Sequence, residues 1–392
     1  MRKNIKIILN KFLAIYYLLV FLLFKKSKFS KASNVFFFPY YHTGGAEKVH
    51  AQIVAALKDK KNVVVFTQGS AMHTFYNDFK NHANVIELNP ILNKRIAFVN
   101  AYLEKQIVLA INSSSSIQSV FACNSPYFYN LLPKLRTSLR RIDLYHAFEK
   151  NDVRSIEVVK SAPFIDVRVV INSNAMQHIV SYYEQQGLSQ MYAQKIIIIP
   201  NGIELPEDYL APKHVANIRI GFIGRWSEEK RPELFLKIAS QINQKFPEIE
   251  FVMAGSGMLS NIAKIKAAGV NYLGNFSEQK KINDLYRSLS YVLLPSRYEG
   301  FPMVIMESMA FGVIPIATKV GGIADHITSN KNGFLIETLN EVELVKEFCE
   351  AISRIYQDDN LSKQMAKNAI EYAHANFGIE QFNFSYQKLF YP

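Results

Sequence analysis

Short, unbroken apolar runs recur along the chain, most of them followed by a stretch of helical periodicity. The runs are NVFFFPY (34–40), NVVVFT (62–67), IVLAI (107–111), SVFAC (119–123), IDLYHA (142–147), RVVIN (168–172), KIIIIPNG (195–202), RIGFIG (219–224), IEFVMAG (249–255), YVLLP (291–295) and VIPIAT (313–318). A strand covered on both faces reads as a continuous apolar run, because neither set of alternate side chains meets water. Strands of that kind separated by helices predict an α/β protein with parallel sheets. They are too many for one sheet. A polar, proline-containing, aperiodic break falls at NGIELPEDYLAPKH (201–214). The reading is two Rossmann-like domains, 33–203 and 204–372, with a closing helical segment at 373–392 and a separate N-terminal segment at 1–32. A chain of 392 residues has room for two or three domains at about 150 residues each.

The charge is uneven. Residues 1–31 carry eight lysines and arginines and no acid, so only +4 of the net +12 belongs to the rest of the chain. That distribution argues against nucleic acid as a partner. The same segment holds FLAIYYLLVFLLF (12–24), thirteen uncharged residues between Lys11 and Lys25. A spanning helix needs roughly 17–25 residues. No small-residue cleavage site follows, which disfavours a signal peptide. A spanning helix with snorkelling lysines and a helix lying in the interface both fit, so the expected partner is a membrane surface. LLPKLRTSLRR (131–141) is a second basic, apolar stretch that could dock on anionic lipid or form a solvated helix face. Cys123 and Cys349 match no metal or redox spacing and are expected to be buried thiols in a reducing compartment.

Three places suggest a phosphorylated ligand. Gly44 and Gly45 lie between the first strand and its helix, where backbone N–H groups and the helix dipole favour an anion. Arg225 and Lys230 lie on the loop after RIGFIG, at the strand's carboxyl end, where open α/β sheets bind ligands. Glu299 follows YVLLP, and Glu307 falls inside a helix that Pro302 opens. The pair brackets Gly300-Phe301-Pro302 and can accept the hydroxyls of a sugar or a ribose. No Asp-x-Asp, phosphate loop or His/Cys metal spacing is present in the sequence, so no metal is expected. Ala254-Gly255-Ser256-Gly257 is a poor dinucleotide fingerprint.

Taken in order, GGAE (44–47), IPNGIE (199–204), GRWSEEK (224–230), AGSG (254–257), LPSRYEG (294–300), ATKVGG (317–322), NGFLI (332–336) and the Glu299-x7-Glu307 signature resemble the retaining glycosyltransferases of the GT-B fold, family 4, also called glycosyl transferases group 1. The resemblance runs from about Ser33 to the end. It implies a GT-B fold, two Rossmann-like domains facing a central cleft, preceded here by the hydrophobic basic N-terminal helix. It implies that Arg225 and Lys230 bind the donor diphosphate, Glu307 the ribose, and Glu299 the donor sugar near the reacting carbon. Gly44 and Gly45 would face the diphosphate, the backbone near Gly274, Asn275 and Phe276 would edge the base, and His146 would lie near the sugar's primary hydroxyl. Two positions depart from the family: Arg231 stands where glycine commonly follows the phosphate lysine, and Pro302 where the second glycine of Gly-Phe-Gly is common.

The implied reaction is transfer of a hexose-type sugar, with retention and without metal or other cofactor, from a UDP- or GDP-linked donor to an acceptor hydroxyl. The basic, apolar N-terminus favours a lipid-linked glycan acceptor in cell-envelope polysaccharide or lipopolysaccharide synthesis. The expected place is the cytoplasmic face of a bacterial inner membrane. A GT-B phosphorylase and a non-catalytic nucleotide-sugar-binding membrane subunit are the competing readings, and the presence of Glu299 speaks against the second.

Overall fold

The computed structural model describes residues 2–42, 44–149, 151–207, 218–276, 278–338 and 340–392, with side chains from residue 8 onward. Residues 208–214 of the proposed break and Thr43 lie outside the described residues. The chain divides into two compact units. The first takes in residues 1–171, 175–199 and 382–392, and the second 172–174 and 200–381.

The first unit is built on seven parallel strands: β1 (Asn34–Phe38), β2 (Asn62–Phe66), β3 (Asn84–Glu87), β4 (Ser119–Cys123), β5 (Arg140–Tyr145), β6 (Val167–Val170) and β7 (Ile196–Ile198). Their order is β3-β2-β1-β4-β5-β6-β7. Every residue of β1, β2 and β4 is buried, as continuous apolar runs demand. IVLAI (107–111) is not a strand. It forms the last turns of a helix, Ala97–Ser113, whose buried residues Val99, Leu103, Ile107, Ala110 and Ile111 recur at helical spacing. A five-residue apolar run has no period of its own, and the helix shows only over the longer window. The short edge strand β3, only partly buried, takes IVLAI's place in the sheet. Between β5 and β6, Asp143 pairs with Arg168 in register. The Arg168 guanidinium donates to Asp143 at 2.6 Å, to Ser161 Oγ and to the Val158 carbonyl. All of these groups are buried, so the pair is desolvated but fully bonded.

The second unit has six parallel strands: β8 (Arg219–Ile223), β9 (Glu250–Ala254), β10 (Val270–Gly274), β11 (Tyr291–Leu294), β12 (Ile314–Thr318) and β13 (Phe334–Ile336), in the order β10-β9-β8-β11-β12-β13. In both sheets the order reverses beside the first strand. Such switch points, between β1 and β4 and between β8 and β11, open a crevice at the strands' carboxyl ends.

Helix α1 (Arg2–Val20) continues through a wide turn (Phe21–Lys25) and a tight one (Lys26–Lys31) into β1. Ala14, Leu18, Phe21 and Phe29 join the first unit's core. Residues 382–392 also belong to that unit: Phe390 packs on Phe36 and Phe121, and Tyr391 donates to Asn34.

Candidate active site

The second unit gathers its charged loops at the β8/β11 switch point. After β8 the chain turns through Gly224 to Arg225 and a tight turn at Glu228–Lys230, then enters helix α2 (Pro232–Lys245). Lys230 Nζ lies 2.6 and 2.7 Å from the two oxygens of Glu299, on the loop after β11. Ser296 Oγ donates to the same carboxylate at 2.7 Å. The Glu299 side chain is 6% exposed and that of Lys230 24%. Arg297 ties the two loops together, through its N–H to the Glu229 carbonyl (2.7 Å) and its guanidinium to Glu228 (2.8 Å).

Glycines hold this arrangement from behind. Gly321 has φ +55°, and a Cβ there would collide with the Glu299 carbonyl oxygen. Gly322 N–H donates to the Gly300 carbonyl at 2.6 Å. Gly255, at φ +134°, leaves no room for a Cβ against the Gly224 carbonyl. The AGSG and KVGG stretches are therefore clamps on the Arg225 and Glu299 loops, where close backbone approach requires glycine.

Arg231, where glycine is common in similar sequences, takes the left-handed conformation (φ +48°, ψ +53°). The turn is kept at a cost in strain. Pro302 sits at φ −74° in extended backbone and caps helix α3 (Met303–Ala310). That position demands no glycine.

The other residues singled out in the sequence fall as follows. Arg225 is 62% exposed and pairs with Glu229 at 3.1 Å, not with the Lys230–Glu299 pair. Glu307, on α3, accepts from the buried Tyr286 hydroxyl at 2.8 Å. The Phe301 ring is buried against His326 and Phe377. Asn275 and Phe276 follow the edge strand β10, where the Gly274 carbonyl accepts from Gly255 N–H. Ser296, Arg297 and Gly321 lie in motifs of the resemblance without a role assigned to them there, and Tyr286 carries no sequence signal.

In the first unit, Gly44 caps the helix at Gly45–Ala56, and the Glu47 carboxylate folds back over it at the dipole's positive end. His146, just past β5, is not solitary. Its Nε2 lies 3.0 Å from His50 Nε2. Burial, with Arg154 nearby, lowers the His146 pKa to about 4. Burial holds His50, stacked on Phe38, well below the ordinary imidazole value. Both rings are thus neutral near pH 7, one donating and one accepting. The Cys123 thiol lies with them, the three donor atoms within 4.8 Å of one another, a set able to hold a thiophilic metal ion. Sequence spacing hides this group because its members come from three separate elements. Cys349 is half-buried, not buried, with its thiol toward Gln241.

Residues 212–372 match the family model described as glycosyl transferases group 1. The chain carries a group 1 glycosyltransferase domain. It is 27% identical over 237 residues to a D-inositol 3-phosphate glycosyltransferase of Kribbella flavida, covering 54% of this chain and 53% of that protein. It is 32% identical over 154 residues to an alpha-1,4-N-acetyl-D-galactosaminyltransferase of Campylobacter jejuni, named for a diNAcBac-PP-undecaprenol-linked glycan, covering 38% and 41%. The chain thus spans about half the length or less of these curated relatives. In fold it is similar to Anabaena Alr3699/HepE, solved with UDP and with UDP-glucose. The identity is 18% and the TM-score 0.71, covering 91% of this chain and 98% of that one. The two parallel-sheet units are those of the GT-B glycosyltransferases.

Proposed function

We propose that this chain transfers a hexose-type sugar, with retention and without a metal, from a UDP- or GDP-linked donor to a hydroxyl of a lipid-linked glycan at the cytoplasmic face of a bacterial inner membrane. The observation that carries the reading is the Lys230–Glu299 pair at the switch point of the group 1 domain. Lys230 would exchange its carboxylate partner for the donor diphosphate, with Arg225 swinging from Glu229 to join it. Glu299, released from Lys230 but still held by Ser296, would accept hydroxyls of the donor sugar, and Glu307, oriented by Tyr286, those of the ribose. Negative charge building on the leaving diphosphate would be met by Lys230, Arg225 and the helix N-termini. The leaving oxygen would take the acceptor proton, so no enzymic nucleophile is required. The lipid-linked acceptor is supported by the Campylobacter relative's named substrate and by the apolar, basic α1. The test is thermal stabilisation of the purified chain by UDP, GDP and ADP, each with and without EDTA, beside Arg225→Ala. We expect stabilisation by UDP or GDP that is lost in the variant. No shift with any nucleotide refutes the donor assignment, and a shift that vanishes in EDTA refutes metal independence.

A further inference from the structure

Helix α1 and the wide turn that continues it are apolar on two sides, and only one is covered. Ala14, Leu18 and Phe21 are buried against the first unit. Ile8, Leu9, Phe12, Ile15, Tyr16, Leu19, Leu23 and Phe24 are exposed, and their spacing of three and four residues makes one stripe. By length and composition the helical stretch Ile8–Lys31 is apolar enough to cross a bilayer. A crossing helix, however, has lipid around it, and this one keeps a protein face along its middle.

Where this stretch ends, lysines gather. A surface pocket is lined by Lys28 and Lys31 from the end of that stretch, Lys60 and Lys61 before β2, and Lys80 and His82 before β3. No carboxylate lines it, and none of these lysines is in a salt bridge among the described residues. Asn62 and Asn84, which also line it, begin β2 and β3. The pocket therefore lies at the amino edge of the sheet, away from Gly44, Gly45 and His146 at the carboxyl edge. Helix α1 packs on the short helix Asn89–Leu92, just past the end of β3 at the carboxyl edge. The stretch it opens ends at Lys31, three residues before β1. The apolar stripe thus runs from the carboxyl edge of the sheet toward the lysine pocket.

We propose that stripe and pocket form one docking surface for an anionic lipid bilayer, on which the chain lies without crossing it. The stripe would enter the boundary between headgroups and acyl chains, and the pocket would hold lipid phosphates. Lying along α1, the membrane would reach the carboxyl edge of the first unit's sheet. LLPKLRTSLRR (131–141) is not part of this surface. Its leucines are buried, Lys134 pairs with Glu104, and Arg141 with Asp166.

The experiment is vesicle co-sedimentation of the full chain, with phosphatidylcholine alone and with phosphatidylglycerol added. Alkaline carbonate extraction of native membranes runs beside it. We expect capture by the anionic vesicles only, weakened by salt, and release by carbonate. Lys60→Ala/Lys61→Ala/Lys80→Ala should weaken capture on the order of a hundredfold, since each charge at such a surface is worth about 1 kcal/mol. Phe12→Ser/Leu19→Ser/Leu23→Ser should abolish it. Retention after carbonate would overturn the lying helix. Capture equal on neutral vesicles, insensitive to salt and unchanged in the lysine variant would overturn the pocket, and no capture would overturn both. Nucleotide stabilisation of the same samples reports the donor site separately, so failure here leaves the transferase reading standing, and the reverse.

Discussion

Lys230→Ala tests the central pair. The variant leaves the Glu299 carboxylate, 6% exposed, with Ser296 Oγ as its remaining side-chain partner. Breaking a buried ion pair from one side costs about 3–5 kcal/mol, because the remaining charge stays desolvated. Lys230 is 24% exposed, so water can enter the space it vacates, and we expect about 2–3 kcal/mol. Adding Glu299→Gln removes the orphaned charge. The double variant should therefore be more stable than Lys230→Ala by at least about 1 kcal/mol, although it carries one change more. Urea unfolding of the second unit, followed by the fluorescence of Trp226, which packs against that unit's core, reads the difference. Equal stability of single and double variants within about 0.5 kcal/mol would refute the account, since it would mean that Glu299 is not held as a desolvated carboxylate. UDP or GDP stabilisation should be lost in both, because neither retains Lys230.

Arg231→Gly should raise the second unit's stability by up to about 1 kcal/mol in the same urea assay, because a left-handed residue with a side chain costs roughly 1–2 kcal/mol and glycine's extra backbone entropy returns part of it. A loss of stability would show that the Arg231 side chain outweighs its backbone strain. Gly321→Ala should cost about 3 kcal/mol or more and weaken nucleotide-sugar binding, since its Cβ has no space beside the Glu299 carbonyl; normal binding with unchanged stability would exclude the clamp. Acid should weaken the first unit through its histidine pair. Both folded pKa values are depressed, so the unfolded chain binds more protons below about 6.5 and stability falls as pH drops toward 4. His146 contributes a loss of about 3 kcal/mol over that range, as one pKa unit is about 1.4 kcal/mol. Melting of His50→Asn/His146→Asn should depend less steeply on pH than the parent, and parallel curves would contradict neutral histidines.

What the sequence shows best is whatever burial on two faces imposes. β1, β2 and β4 are legible because, after one polar residue, each is an unbroken apolar run, and α2 because Pro232 stands at its start. IVLAI misleads for the same reason: composition without period cannot tell a strand from a buried helix turn. At the site, Lys230 and Glu299 could be named, but not that they grip each other, since 69 residues separate them and only the order β8-β11 makes them neighbours. Arg225 is expected at the same ligand, yet it rests on Glu229, because an exposed guanidinium on the loop takes the acid four residues on. His50 was missed entirely. It sits mid-helix among apolar residues, and nothing local distinguishes it from a core position.

The two departures from the family pattern are physically unequal. Pro302 replaces a glycine where the backbone has φ −74°, a value proline prefers, and it caps α3 without cost. Arg231 replaces a glycine where φ is +48°. A conformation that costs energy persists only where its surroundings over-determine it. Here the surroundings are visible: Arg297 pins Glu228 and Glu229 on one side, Pro232 fixes the helix start on the other, and Lys230 between them is locked to Glu299. The strain therefore falls on the residue next to the lysine proposed to hold the diphosphate. A chain that keeps an unfavourable turn to aim one ammonium group at one carboxylate is best understood if that ammonium position, rather than the turn's sequence, is what the site requires.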